Sequence, residues 1–248
     1  MQLKKFPWPE NKRCALSLTF DDSLISQINN GFPLFEKHNV KVTFYISPNH
    51  LKQRHVNWKE VMQNGHEIGN HTMTHPCTIN FPFSKNNALE NYTLEQIEED
   101  INNANKFILK TLGISPNSFA YPCGQKFIGR GPNTKSYVPI IAKKFLTGRG
   151  FLDESPNDPW LCDFSQLLGM ECDGKSFEEL KTLIMFSAQL GFWLILVGHN
   201  INEDGLQTTF TSSLEKLLKY AQDPINGIWI DTINVIANYI LKIRQGSN

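Results

Sequence analysis

The sequence predicts an α/β fold built on a parallel sheet. Three observations carry that reading. Short apolar stretches rich in β-branched and aromatic residues recur along the chain, helical patterns lie between them, and the residues able to do chemistry follow directly where apolar stretches end. The expected strands are 15–20, 42–46, 67–69, 118–121, 145–148, 192–198 and 228–230. Most are apolar almost without interruption, as strands buried on both faces of a parallel sheet should be.

The helices between them announce their starts. Thr93-x-x-Gln96, Ser176-x-x-Glu179 and Ser212-x-x-Glu215 each have the spacing of a capping box. Asp231 is placed to cap a last helix in which Ile233, Ile236 and Ile240 share one face. The Pro/Asp-rich stretch 155–159 reads as a surface loop, because composition is similar on its two sides. A single domain over residues 1–248 is the expectation. Pattern alone does not separate a closed barrel from an open sheet.

Composition narrows the function. With 24 basic and 24 acidic side chains the formal net charge is zero, which argues against a nucleic-acid binder. Apolar residues at 40% and charged residues at 19% are ordinary for a globular protein. No run approaches the ~18–20 apolar residues that span a bilayer. The first residues carry Lys4 and Lys5 with no apolar stretch behind them, unlike a secretory leader. A cytoplasmic location follows as the expectation. The five cysteines are odd in number and form no C-x-x-C pair, so they read as reduced thiols.

Two strings fit together as one metal site. Thr19-Phe20-Asp21-Asp22 closes an apolar stretch with two carboxylates, and His71-Thr72-Met73-Thr74-His75-Pro76 sets two imidazoles four residues apart. Two neutral nitrogens and one carboxylate suit Zn²⁺ or another first-row divalent metal, and three protein ligands leave a position open. The second carboxylate is then available to take a proton from water. In any parallel α/β architecture such groups gather at the carboxyl ends of the strands, and both strings obey this. So does His199, which follows the stretch 192–198. His66 does not fit the spacing and is left outside the site.

These strings resemble the polysaccharide deacetylases, the NodB-homology family of carbohydrate esterases, over roughly residues 13–240. The resemblance implies a distorted (β/α) barrel with about seven parallel strands. It makes Asp21 the general base, Asp22, His71 and His75 the metal ligands, and His199 the acid that protonates the leaving nitrogen. It implies hydrolysis of an acetamido group on an amino sugar or saccharide conjugate. An O-deacetylase or a small-molecule amidase on the same site, and a non-catalytic carbohydrate-binding relative, remain alternatives. The expected partner is a saccharide or small amide, with no nucleic acid and no membrane span; oligomeric state is left open.

The chain departs from the family pattern in three places. Ser23 stands where glycine usually follows the two aspartates. Phe119-Ala120-Tyr121-Pro122-Cys123-Gly124 lies where the family often carries Arg-x-Pro-Tyr, so Ala120 replaces the arginine that orients the base. Arg149 is the nearest candidate to supply that cation through two parallel hydrogen bonds, and Arg130 is a weaker one. Tyr121 and Cys123 are candidate substrate-binding or base-orienting residues, with Cys123 a small wall residue and not a nucleophile. The family's string that tunes the acid histidine is not evident, and Asp163, Glu171 and Asp173 stand as unranked candidates.

Overall fold

The computed structural model describes residues 5–51 and 55–246. Among them the strands are β1 (Cys14–Phe20), β2 (Thr43–Ile46), β3 (Glu67–Asn70), β4 (Ser118–Ala120), β5 (Phe127–Ile128), β6 (Lys135–Ser136), β7 (Thr147–Arg149), β8 (Met170–Glu171), β9 (Trp193–Gly198), β10 (Asn200–Asn202), β11 (Thr208–Phe210) and β12 (Ile228–Ile230). The helices are α1 (Phe32–Lys37), α2 (Pro48–Leu51), α3 (His55–Gln63), α4 (Leu94–Leu112), α5 (Val138–Lys144), α6 (Phe177–Leu190), α7 (Thr211–Gln222) and α8 (Ile233–Gln245).

One sheet runs β7-β4-β3-β2-β1-β9-β8, and every pairing in it is parallel. The sheet curls back on itself. Leu167 bridges to Arg149 of β7, and three residues later the same segment becomes β8 beside β9. Seven strands therefore close a distorted barrel through one short seam. An eighth, β12, pairs with Cys14, Ala15 and Leu16 of β1, which leaves only Thr19 and Phe20 to pair with β2. That wedge is the distortion.

All seven residues of β1 and all six of β9 are buried. Their side chains sort by the two-residue period of a strand. Leu16, Leu18, Phe20, Leu194 and Leu196 pack with residues of α1, α6 and α7 in one apolar cluster, whereas Ala15, Trp193 and Ile195 join Ile233, Ile236 and Ile240 of α8 in another. Both faces are covered, so the hydroxyl residues of these strands, Ser17 and Thr19 of β1, are themselves buried and donate to the carbonyls of Asp231 and Leu196.

The capping boxes at Thr93 and Ser176 form with both reciprocal hydrogen bonds, and glycines at 113 and 191 close those helices in the left-handed region. The third expected box does not form. Helix α7 starts at Thr211 after Phe210, so Ser212 lies inside its first turn, and Glu215 pairs with Lys37 and Lys219 instead. The cap of α8 is Thr232, which accepts from the Val235 N–H; Asp231 accepts from Thr232 N–H just outside. Strand β7 begins at Thr147, two residues later than the expected start at 145.

Glycine is required where β3 meets β2. A Cβ on Gly69 would fall on the Tyr45 ring and lie 2.8 Å from Ser118 Oγ, with both neighbours fully buried. Gly69→Ala is expected to lower unfolding stability by about 1–3 kcal/mol, the usual cost of overpacking a filled interior. Urea denaturation of the two chains checks this.

Candidate metal centre and active site

Strand register builds the site. Phe20 pairs with Gly198, so Asp21 and His199 emerge side by side, tied by Asp21 N–H to the Gly198 carbonyl at 3.0 Å. Gln27 clasps the two ends, its Nε2 donating to the carbonyls of Asp21 (2.5 Å) and His199 (2.9 Å). On the other side Ile46 pairs with Asn70, so His71 follows at the same rim.

Asp22 Oδ1 lies 3.5 Å from His71 Nε2 and 3.4 Å from His75 Nε2. The donor atoms of these three residues fall within 4.8 Å of one another. His71 Nδ1 donates to the Ala120 carbonyl at 2.9 Å, which leaves the Nε2 lone pair facing the other two ligands. Burial, then the neighbouring His71, pushes the His75 imidazole down to about 4, so it offers a neutral nitrogen at physiological pH. A borderline-soft divalent cation fits this donor set.

The loops that carry these three residues are held in unfavourable backbone. Asp22, Ser23, Thr72 and His75 all have positive φ. Ser23 takes the left-handed conformation (φ 53°) that a glycine would adopt freely, and its hydroxyl exchanges hydrogen bonds with the Ser47 backbone at 3.0 and 3.2 Å. The histidine loop is gripped by α4: Asp100 accepts from Met73 N–H, Thr74 N–H and the Thr74 hydroxyl. Asn70 accepts from Thr72 N–H and donates to Asn105.

Asp21 is only 3% exposed. Burial raises a carboxyl, but Arg149, His71 and His199 outweigh it and hold Asp21 below the usual carboxylate range. Arg149 is wholly buried on β7, its Nη2 donating to Asp21 Oδ1. It arrives across the sheet: Ala120 of β4 is the in-register neighbour of Arg149. The guanidinium packs 4.8 Å from the centre of the Tyr45 ring. The expected twin hydrogen bond to Asp21 does not occur, because Nη1 donates to the Gly150 carbonyl. With Oδ1 taken, Oδ2 is the oxygen of Asp21 near the Asp22–His71–His75 cluster, 3.8 Å from His71 Nε2.

His199 Nδ1 meets Asp173 Oδ2 at 2.6 Å, and Asp173 Oδ1 accepts from the His199 N–H and the Thr209 hydroxyl. Burial would lower the imidazole, but the Asp173 hydrogen bond and the charge of Asp21 raise it above its ordinary value. Of the three unranked carboxylates, Asp173 is therefore the one at His199. Glu171 lines the cleft, and Asp163 caps the short turn at Phe164–Gln166. Asp173 follows a two-residue strand, too short for a sequence pattern to mark.

Two placements differ from expectation. Tyr121 does not reach the cleft: it packs between Phe119 and Tyr137, and its hydroxyl donates to the Ser165 carbonyl. Cys123 does line the cleft, yet it is not a free thiol, because it forms a disulfide with Cys77. Free thiols remain at Cys14, Cys162 and Cys172. Arg130 lies on the surface, bonded to Asn91. His66 sits away from the site with Glu36.

Asp21, Asp22, His71, His75, Cys123 and His199 line one cleft of about 690 Å³. Phe81 and Phe83 stand at it, stacked at 5.3 Å, with Phe83 67% exposed. Among the described residues no helix is long and apolar enough to cross a membrane.

The sequence is similar to that of YlxY of Bacillus subtilis, 33% identical over 112 residues covering 45% of this chain and 30% of that protein. It is 30% identical over 187 residues to chitin deacetylase 1 of Cryptococcus neoformans, covering 74% of this chain and 36% of the relative. The chain thus spans about a third of the length of these two relatives. The fold is shared with a polysaccharide deacetylase structure from Mycobacterium smegmatis at a TM-score of 0.70 and 14% identity, covering 98% of this chain and 95% of the other. The sequence profile described as polysaccharide deacetylase matches residues 9–134, just over half of the chain and the part that carries Asp21, Asp22, His71 and His75. The chain belongs to the polysaccharide deacetylase family.

Proposed function

We propose that the chain is a metal-dependent hydrolase that removes an N-acetyl group from an amino sugar or saccharide conjugate. The convergence of Asp22, His71 and His75 beside Asp21 and His199 in one cleft carries this reading. Asp22, His71 and His75 hold the metal, zinc by ligand type. When bound, that metal supplies Lewis acidity to the substrate carbonyl and to the attacking water.

The chain's own groups do the proton work. Asp21 Oδ2 takes the proton from water while Arg149 holds Oδ1 and fixes the carboxylate plane. His199, its Nδ1 engaged by Asp173, presents Nε2 as the acid for the departing amine. Phe81 and Phe83 offer exposed apolar faces beside polar groups, which suits the C–H face of a pyranose. Hydrolysis by metal-loaded protein tests the reading, measured as acetate release from N-acetylated and O-acetylated saccharides and as ring opening of small cyclic amides. Release from the first group alone supports it. Turnover of only the second or third reassigns the site to an O-deacetylase or amidase, and no turnover indicates a binding relative.

His71→Ala and His75→Ala are expected to remove bound metal, whereas Asp21→Asn retains it and loses about 10²–10⁴ in turnover. Metal analysis beside kinetics separates the roles. Arg149→Lys is expected to lower kcat by about 10–100-fold with metal content unchanged, because an ammonium cannot span Asp21 and Gly150 together. An unchanged kcat would remove Arg149 from the mechanism.

Asp173→Asn bears on pH. His199 acts as an acid only while protonated, and Asp173 helps to raise its pKa. Its loss should lower that pKa, so the alkaline limb of the kcat/KM profile moves to lower pH. A limb that stays in place would show that another group sets it.

A further inference from the structure

The disulfide Cys77–Cys123 lies against a metal ligand. Cys77 follows His75 by two residues, is fully buried, and places Sγ 3.7 Å from His75 Nδ1. Cys123, left-handed at φ 52°, reaches the same point from the turn after β4 and lines the cleft. The donor atoms of His75, Cys77 and Cys123 fall within 4.8 Å of one another, the two sulfurs being bonded to each other. One imidazole serves both: Nε2 faces Asp22, and Nδ1 faces the sulfurs.

We propose that Cys77 and Cys123 form a thiol-gated metal site. When the disulfide is reduced, both thiolates and His75 Nδ1 bind one soft divalent ion. The chemistry balances through a dithiol reductant, which gives two electrons and two protons to the protein disulfide and becomes a disulfide itself. The metal then displaces the two thiol protons. Two thiolates with one imidazole form the softer donor set, which thiophilic ions prefer over carboxylate and imidazole.

A consequence follows from the single imidazole. A neutral ring has one nitrogen with a free lone pair, and the other carries hydrogen. Metal on Nδ1 puts the proton on Nε2 and withdraws His75 from Asp22 and His71. The two sites are therefore exclusive, and reduction in the presence of a soft metal switches the hydrolytic site off. This competition rests on the deacetylase reading; the existence of the thiolate site does not.

Cobalt(II) is the probe. The full chain is stripped of metal and divided into an oxidised sample, with three free thiols on denaturation, and a phosphine-reduced sample with five. One equivalent of cobalt should produce a near-ultraviolet thiolate-to-cobalt charge-transfer band in the reduced sample alone. The band should vanish in Cys77→Ser and on reoxidation. It should persist in Cys172→Ser, which removes a free thiol elsewhere, and in His71→Ala, which cripples the other site. No band, a band that survives Cys77→Ser, or loss of the folded circular dichroism spectrum on reduction overturns the proposal. If the oxidised enzyme releases no acetate from any substrate while the band behaves as stated, the hydrolase reading fails and the thiolate site stands.

Discussion

A carboxylate taken out of water needs compensating charge, and the rim of this barrel is organised around that need at Asp21. The compensating guanidinium cannot come from β4, where Ala120 stands. It comes from β7, one strand further, at the residue in register with Ala120. Arg149 then has to be buried in turn, and the interior accommodates it with the Tyr45 ring on one side and the Gly150 carbonyl at its end. Breaking one member leaves the other as an uncompensated buried charge. The pair therefore couples β1 to β7 across the barrel at the point where the sheet closes.

The loops around Asp22 and between His71 and His75 answer to a different constraint. Four residues in or beside the strings that carry Asp22, His71 and His75 adopt left-handed backbone, a conformation that costs about 1–3 kcal/mol each when the residue is not glycine. The surroundings over-determine them: Ser47 for Ser23, Asn70 for Thr72, and Asp100 for the turn between the histidines. A fixed geometry lets three donors point at one spot without collapsing onto each other.

Much of this was legible in the sequence, and the limits are physical. Strands β1 and β9 could be read because burial on both faces leaves a mainly apolar run, interrupted only by Ser17 and Thr19. The strings around Asp21 and His71 could be read because strand ends and ligand spacing are local. What depends on contacts across the fold could not. Strand β8 has two residues, one of them glutamate, and its strand character comes only from pairing with β9. Asp173 was one of three equivalent carboxylates until the sheet placed it under His199. Tyr121 looked like a cleft residue beside Pro122, yet its side chain points into the core. Cysteine count suggested reduced thiols, since nothing in a separation of 46 residues signals that Cys77 and Cys123 meet. Ser212 has capping-box spacing, but the helix begins one residue earlier.

The wedge of β12 against β1 also sets an order of events during folding. The first strand of the barrel is hydrogen-bonded along one edge by residues 193–198 and along half of the other by residues 228–230. Its ladder therefore stays open until the last part of the described chain has left the ribosome. Contacts between residues so distant in sequence carry a large loop-closure cost before they return any stabilisation, which slows folding. The hydrophobic run 14–20 must remain unpaired on at least one side through most of synthesis, so this segment is where a nascent chain is most exposed to association with its neighbours.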